Sequence, residues 1–307
     1  MENHKRITHQ MGVKALGAFS GGLDSMIAAK VLIDQNIEVE AVSFSSPFFE
    51  SDTGRTGATQ LGIPWREIDY SETIMSLLRN PPSGFGNNCN PCIDCHAGMF
   101  RKLGEIASVE GFDFIFSGEV VGQRPMSQNR GSLNRVARLS GFREILLRPL
   151  SARLLPPTDP EKRGLVDRSK LLRLSGRGRK EQILIAEEHG FQYKAPAGGC
   201  LLTDPNYCSR LKMLMDITGL LNEPTARLIR YGRIFRLSKD TIGLVGRSEE
   251  DNAKLEELAL KGEKITYALP DRPGPTGVLI GDKSNLEKLK SLVKARVKPC
   301  ILTLLPY

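Results

Sequence analysis

The feature that most constrains the fold of this chain is a glycine-containing segment near its N-terminus, residues 20–25, with the sequence Ser-Gly-Gly-Leu-Asp-Ser. The apolar run just before it predicts a buried strand. The apolar residues after it recur at helical spacing and predict a helix that starts near Asp24. In a strand–turn–helix unit, glycines let the backbone approach a ligand, and the first amide groups of the helix attract anions. The segment therefore predicts a phosphate-binding loop.

Other phosphate-binding motifs do not account for this segment. No G-x-x-x-x-G-K-[ST] motif occurs in the chain, and neither of the two G-x-G spacings (84–86 and 176–178) has a third glycine. The hydroxyls of Ser20 and Ser25 add hydrogen-bond donors, and Asp24 is placed to act as a helix N-cap or as a ligand to Mg²⁺. The simpler alternative is an ordinary glycine turn before a helix.

Strands and helices alternate after this loop. Predicted strands at 37–44, 65–69, 113–117 and 144–150 are separated by helical segments. This alternation predicts an α/β fold, with a doubly wound, mostly parallel sheet whose strands end beside the glycine loop. From about Leu211 the alternation stops, so we expect two domains, 1–210 and 211–307. The second is predicted to be a small α+β domain that includes a turn at 271–277 and a final strand at 300–304.

Charge is concentrated in one part of the chain. The whole chain carries +8, but residues 121–180 contain 15 Lys and Arg against 4 Asp and Glu, a local +11. Such a basic segment favours a polyanionic partner, above all RNA, although solvated helix faces are the ordinary alternative. No apolar run of about 18 residues and no signal peptide is present, so we expect a cytoplasmic protein without a membrane partner.

Three of the six cysteines lie within seven residues, at positions 89, 92 and 95. In a cytosolic protein, the C-x-x-C formed by Cys92 and Cys95 favours a metal site or a redox pair over a structural disulfide. A helical pattern follows, which places both thiols near a helix N-terminus, where thiolate is favoured. Cys89 and Cys92 also have a ligand spacing. His96 is a further candidate ligand, or simply a structural histidine.

A later cysteine, Cys200, directly follows two glycines, so its backbone can form an unusual turn that presents the thiol. The alternative for Cys200 is a small buried apolar residue. Cys208 and Cys300 have no motif around them, and we interpret both as bystanders.

The Ser-Gly-Gly-Leu-Asp-Ser segment resembles the pyrophosphate loop of the PP-loop ATP pyrophosphatases, which cleave ATP between its α and β phosphates. Together with Cys92, Cys95, Gly118-Glu119 and Cys200, it is similar to the RNA-thiolating members of that family, the tRNA 2-thiouridylases and 4-thiouridine synthetases. The resemblance covers residues 12 to about 205. It implies an adenine nucleotide α-hydrolase-like fold and ATP-dependent transfer of sulfur to a tRNA base through an adenylated intermediate.

The resemblance also implies roles for particular residues. ATP, with Mg²⁺, would be held by Ser20, Gly21, Gly22, Asp24, Ser25 and Gly118. The catalytic residues would be Cys92, Cys95, Cys200 and Asp24. The three cysteines would either ligate a [4Fe-4S] cluster or carry a persulfide. The implied partners are tRNA and a sulfur donor, which is sulfide or a persulfide derived from a cysteine desulfurase; a homodimer is a further expectation.

The C-terminal part is weakly similar to the RNA-binding module of NFACT proteins, through Gly246-Arg247, Asn252 and Gly274-Pro275. Its alternative role is in packing or dimerisation.

Two other functions fit parts of the sequence. One is PP-loop transfer of sulfur or nitrogen to an adenylated small molecule, which would release pyrophosphate without RNA. The other is an RNA-binding protein in which Cys89, Cys92, Cys95 and Cys200 hold a structural zinc ion, which would show no ATP turnover.

Overall fold

The computed structural model describes residues 12–124, 126–193, 199–260, 265–268 and 274–296, although not the side chains of 266–268. The chain divides into two compact units, Met1–Gly199 and Cys200–Tyr307. In the described residues, none of the helices is long and apolar enough to cross a membrane.

The first unit contains a five-stranded parallel sheet with the order β3-β2-β1-β4-β5. Its strands are β1 (Lys14–Ala18), β2 (Glu38–Ser45), β3 (Trp65–Asp69), β4 (Phe114–Ser117) and β5 (Leu146–Leu147). The flanking helices are α1 (Leu23–Ile33), α2 (Asp52–Leu61), α3 (Ser71–Arg79), α4 (Cys92–Glu110), α5 (Arg130–Ser140), α6 (Asp159–Lys162) and α7 (Lys180–Glu188). The α/β prediction is confirmed.

The strand order reverses direction between β1 and β4. After β1 the chain builds outward through β2 and β3, and it then crosses back to add β4 on the other side of β1. In open sheets of this kind, ligands bind at the carboxyl ends of the strands beside such a reversal. Here the glycine loop follows β1 and Gly118 follows β4.

The core of this unit explains why α1 shows no strong amphipathic pattern. Most of α1 is buried, because it packs against the sheet and against α7. Met26, Ile27 and Ala28 each have no exposed surface. The helix that carries the glycine loop is therefore fixed on several sides, which holds its N-terminus at the edge of the sheet.

The second unit contains a four-stranded antiparallel sheet with the order β6-β7-β9-β8. Its strands are β6 (Arg233–Arg236), β7 (Ile242–Val245), β8 (Ile265–Ala268) and β9 (Gly277–Ile280), and its helices are α8 (Pro205–Thr218), α9 (Glu223–Leu228), α10 (Glu249–Ala259) and α11 (Leu286–Lys294). The α+β prediction is confirmed. The expected division at residue 210 would fall inside α8.

Some of the residues singled out in the second unit can be located in the structure, and others lie outside the described residues. The Asn252 side chain accepts a hydrogen bond from the Thr276 amide (2.9 Å), and a Cβ on Gly246 would lie 1.9 Å from its Oδ1. Asn252 therefore joins the loops after β7 and before β9. The predicted strand at 300–304 and the first part of the turn at 271–277 lie outside the described residues.

Candidate active site

The glycine loop runs from the end of β1 into α1. Gly21 has a φ of +69°, and a Cβ there would lie 1.8 Å from the Thr53 carbonyl oxygen. The Thr53 hydroxyl donates to the Ser20 carbonyl oxygen at 2.8 Å. Both the left-handed backbone and the close approach to α2 therefore require glycine at position 21.

The N-terminus of α1 begins inside this loop, with Gly22 as the N-cap and Leu23 as the first helical residue. Among the described residues, no side chain caps the helix. The Ser25 hydroxyl donates to the Gly22 carbonyl oxygen (2.9 Å), and it lies 3.4 Å from the Ser20 hydroxyl. Unpaired first-turn amides beside two hydroxyls are the groups that bind a phosphate.

Asp24 lies in the first turn of α1 and is not its N-cap, because the helix begins at Leu23. Its Oδ2 accepts a hydrogen bond from Gln123 Nε2 at 2.6 Å and lies 3.9 Å from Arg179 Nη2. Gln123 Oε1 in turn accepts from Gln182 Nε2 at 3.1 Å. Asp24 Oδ1 is buried and has no hydrogen-bond partner within the described residues. A buried carboxylate oxygen without a partner, in the first turn of a helix, has the chemistry of a ligand to Mg²⁺.

Gly118 brings the end of β4 against the same helix turn. A Cβ on Gly118 would lie 2.7 Å from the Asp24 carbonyl carbon and the Ser25 nitrogen. The predicted site residues of the loop and Gly118 are thus in contact with one another. A larger residue at position 118 would push β4 away from α1.

Glu119, the next residue, forms a buried ionic network. It accepts hydrogen bonds from Arg148 Nε (2.8 Å) and from His96 Nδ1 (3.0 Å). The side chains of Glu119 and Arg148 are each 6% exposed. Burial alone would raise the pKa of Glu119, but Arg148 and His96 hold it at about 2. The carboxylate therefore stays charged and fixes two side chains, one from the N-terminal part of α4 and one from the residue after β5.

The thiols of Cys92 and Cys95 lie on the first turn of α4. Cys92 is the first residue of that helix, and its sulfur accepts from Asn90 Nδ2 at 3.1 Å. Cys95 is buried. Ser83 donates to the Asp94 carboxylate through its amide (2.7 Å) and its hydroxyl (2.6 Å), which anchors the preceding loop to this turn.

One chain of contacts joins these thiols to the glycine loop. His96 follows Cys95 directly and contacts Glu119, whose neighbour Gly118 packs on the first turn of α1. Contacts within the first unit therefore link the glycine loop to the turn that carries two of the three predicted cysteines.

Cys200, the third predicted cysteine, belongs to the second unit. It is half-buried in extended backbone, and its carbonyl oxygen accepts from the Thr203 hydroxyl at 2.7 Å. In the parts of the chain that the structure describes, no three His, Cys, Asp or Glu side chains are grouped so that they could hold a metal ion. The predicted three-cysteine cluster stays a prediction.

The sequence did not identify Arg148 or Gln182 as site residues. Arg148 reads only as the end of a strand, and Gln182 as one polar residue of a helix. The only signal for Arg148 in the sequence was its position immediately after an apolar strand.

Comparisons with known proteins support the resemblance stated above. No protein-family profile matches the chain. Over 121 residues the chain is 30% identical to the tRNA-specific 2-thiouridylase MnmA 1 of Syntrophus aciditrophicus, a match that covers 34% of this chain and 32% of that protein. A probable tRNA sulfurtransferase of Latilactobacillus sakei is 27% identical over 119 residues, covering 36% and 28% of the two chains.

Among solved structures, a 4-thiouridine synthetase–RNA complex with bound ATP is similar to 58% of this chain and 41% of its own, with a TM-score of 0.42 and 24% identity. The chain thus spans about a third of the length of the curated relatives it matches. The predicted resemblance to tRNA thiouridylases is confirmed at the level of sequence similarity.

Proposed function

We propose that this protein is an ATP-dependent enzyme that adenylates an oxygen of a tRNA base and replaces that oxygen with sulfur. The observation that carries the proposal is the chain of contacts from the glycine loop through Gly118, Glu119 and His96 to the turn with Cys92 and Cys95. The curated relatives, named as tRNA 2-thiouridylases and a tRNA sulfurtransferase, support this assignment.

The first half-reaction uses the glycine loop. The amides at the start of α1 and the hydroxyls of Ser20 and Ser25 bind the ATP phosphates. The base oxygen attacks the α-phosphorus, the bond to the β-phosphate oxygen breaks, and pyrophosphate leaves. Asp24 Oδ1 would hold Mg²⁺, which neutralises charge on the phosphates. Gln123 and Arg179 orient the Asp24 carboxylate through its other oxygen.

The second half-reaction uses the thiols. Sulfide attacks the base carbon directly, and AMP leaves with the former base oxygen. If one of the two cysteines carries a persulfide, its outer sulfur attacks the base carbon and AMP leaves. The thiolate of the other cysteine then attacks the inner sulfur, which releases the thiolated base and leaves a Cys92–Cys95 disulfide that an external thiol must reduce. Cys92 and Cys95 both lie on the first turn of α4, so one thiol can act on sulfur that the other carries. A [4Fe-4S] cluster would require Cys200 as the third ligand, and thiolates are the chemically suitable donors. Because the described residues contain no grouped set of three such donors, we derive no step through a cluster.

RNA would be held by the basic segment between residues 121 and 180. This segment contains 15 Lys and Arg residues and only 4 Asp and Glu residues. Neutralisation of phosphates by such residues supplies most of the sequence-independent affinity for nucleic acids. The sulfur donor, the homodimer, the cytoplasmic location and a role of the second unit in RNA binding remain predictions.

Cysteine variants test the proposal. We expect Cys92→Ala and Cys95→Ala to lower formation of thiolated nucleoside by about 10³-fold or more, because each removes a sulfur atom that takes part in covalent chemistry. Pyrophosphate release on unmodified tRNA should persist in both variants, since adenylation does not use the thiols. The measurement is mass spectrometry of nucleosides from tRNA incubated with ATP and a sulfur source.

Cys300→Ala is the matched control, and it should thiolate as the wild type does. Full activity in Cys92→Ala or Cys95→Ala would remove that thiol from the mechanism. Pyrophosphate release that is independent of RNA would instead favour a small-molecule substrate.

A further inference from the structure

A cavity of about 400 Å³ opens on the first unit between α5, the end of β5 and the segment that leads into α6. This volume is within the range of about 300–1,000 Å³ that small-molecule sites occupy. Its apolar lining includes core side chains of α5 and β5 and two consecutive prolines. The residues that matter here are Leu133, Ala137, Leu147, Pro156 and Pro157.

Two of the charged side chains that line this cavity are neutralised by other groups of the protein. Arg148, which is 6% exposed, is paired with Glu119 at 2.8 Å, and its Nη2 donates to the Leu133 carbonyl oxygen at 3.2 Å. Glu161 is bonded by Arg168 and by the amide and hydroxyl of Thr158. Neither of these charges is left to attract a ligand.

Two arginines at the rim differ from these. Arg130 and Arg143 line the cavity and are exposed. In the described part of the chain, neither arginine side chain has a hydrogen-bond or ion-pair partner. The remaining acidic side chain, Glu144, lies 3.9 Å from Lys162, and both are more than half exposed. The rim therefore carries uncompensated positive charge above an apolar floor.

On the basis of the function proposed above, we propose that this cavity binds one nucleotide of the RNA substrate other than the reacting one. The base would lie on the apolar floor, and Arg130 and Arg143, which flank the two ends of α5, would contact the phosphates on either side of that nucleotide. RNA-binding proteins recognise unstacked bases with apolar or aromatic surfaces and arginine planes, and an arginine fork matches phosphate geometry. An apolar slot with two unpaired guanidinium groups at its rim fits both halves of a nucleotide.

The position of the cavity links it to the reaction. Arg148 lines the cavity and also contacts Glu119, which joins the turn with the thiols to the end of β4. A nucleotide in this cavity would thus anchor the RNA next to the edge of the sheet where the glycine loop lies. The same recognition chemistry would also suit a free nucleotide, so the experiment separates the two sources.

The test measures binding of a fluorescein-labelled, unmodified tRNA transcript to the full chain by anisotropy, over a range of KCl concentrations and without ATP or a sulfur donor. Arg130→Ala and Arg143→Ala should each raise Kd about 5–10-fold and reduce the slope of log K against log salt by about one. Asn134→Trp, which fills the cavity from an exposed position, should raise Kd without changing that slope.

Lys102→Ala is the control. Lys102 is exposed on α4, lies outside the basic segment and does not line the cavity, so its loss should change Kd by no more than about twofold. An equal effect of Lys102→Ala and Arg143→Ala, or normal binding by Asn134→Trp, would overturn the proposal. So would saturable binding of AMP that these variants abolish while tRNA binding stays normal, because the source would then be a free nucleotide.

The two proposals fail in different ways. Thiolation that proceeds normally in cavity variants with unchanged tRNA affinity would remove only the cavity site. Cavity-dependent tRNA binding by a protein that forms no thiolated nucleoside and releases no pyrophosphate would remove only the proposed reaction.

Discussion

Gly21→Ala is expected to lower ATP turnover by at least about 100-fold. A methyl group at this position would lie 1.8 Å from the Thr53 carbonyl oxygen, and the backbone has a φ of +69°. The loop would have to move away from α2, and the phosphate-binding amides at the start of α1 would move with it. A displacement of about 1 Å at a reacting group costs on the order of 10²-fold in rate.

Gly111→Ala is the matched control for this variant. Gly111 caps the C-terminal end of α4 with a φ of +76°, but a Cβ there meets no atom within 4 Å. Both variants bear the backbone penalty of a left-handed alanine, and only Gly21→Ala adds the collision. Pyrophosphate release should be measured on both, with circular dichroism to confirm folding. Equal turnover in the two variants would show that the loop does not position ATP.

Arg148→Met is expected to lower the free energy of unfolding by about 3–5 kcal/mol. The substitution removes one partner of a buried ion pair and leaves the Glu119 carboxylate with the partially exposed His96 and the Ser117 hydroxyl, neither of which replaces the permanent charge of Arg148. Lys30→Met is the control, because Lys30 pairs with Asp34 at a more exposed position, where such bridges contribute about 0–1 kcal/mol. The measurement is urea unfolding of both variants and the wild type.

The pH dependence of this effect has a definite sign. The pKa of Glu119 is lowered from 4.5 to about 2. The folding stability that the charged carboxylate contributes is therefore present above about pH 4.5 and is lost as pH falls toward 2. The stability difference between the wild type and Arg148→Met should therefore be largest above pH 4.5 and should shrink below it. A difference that does not vary with pH would contradict the ionic interpretation.

A double variant separates charge from packing. Glu119→Leu combined with Arg148→Met removes both members of the pair, and an apolar pair of similar volume is often neutral in stability. We expect it to recover much of the stability lost in Arg148→Met. A double variant as unstable as the single one would show that Arg148 acts mainly through its shape.

The sequence was sufficient to predict the sheet and the glycine loop, because both depend on local patterns. Apolar runs with helices between them define the parallel strands, and the requirement for glycine at position 21 shows in the motif itself. The first helix begins at Leu23, one residue before Asp24, so the predicted capping role of Asp24 was wrong.

Contacts between distant residues could not be predicted in this way. Gln123 bonds Asp24 across 99 positions, and Arg148 bonds Glu119 across 29. No spacing rule connects residues on different strands before the strand order is known. Strands β6 and β8 were both missed. Each is a four-residue strand at an edge of the second sheet, and such strands have little room for an alternating pattern.

The most direct test of the central claim follows one oxygen atom. The wild-type protein is incubated with ATP, a sulfur source and tRNA transcribed with ¹⁸O at the carbonyl oxygens of its bases. Adenylation of the base predicts that each AMP formed carries one ¹⁸O atom and that thiolated nucleoside accumulates in equal amount. AMP without ¹⁸O, or ADP as the nucleotide product, would contradict it.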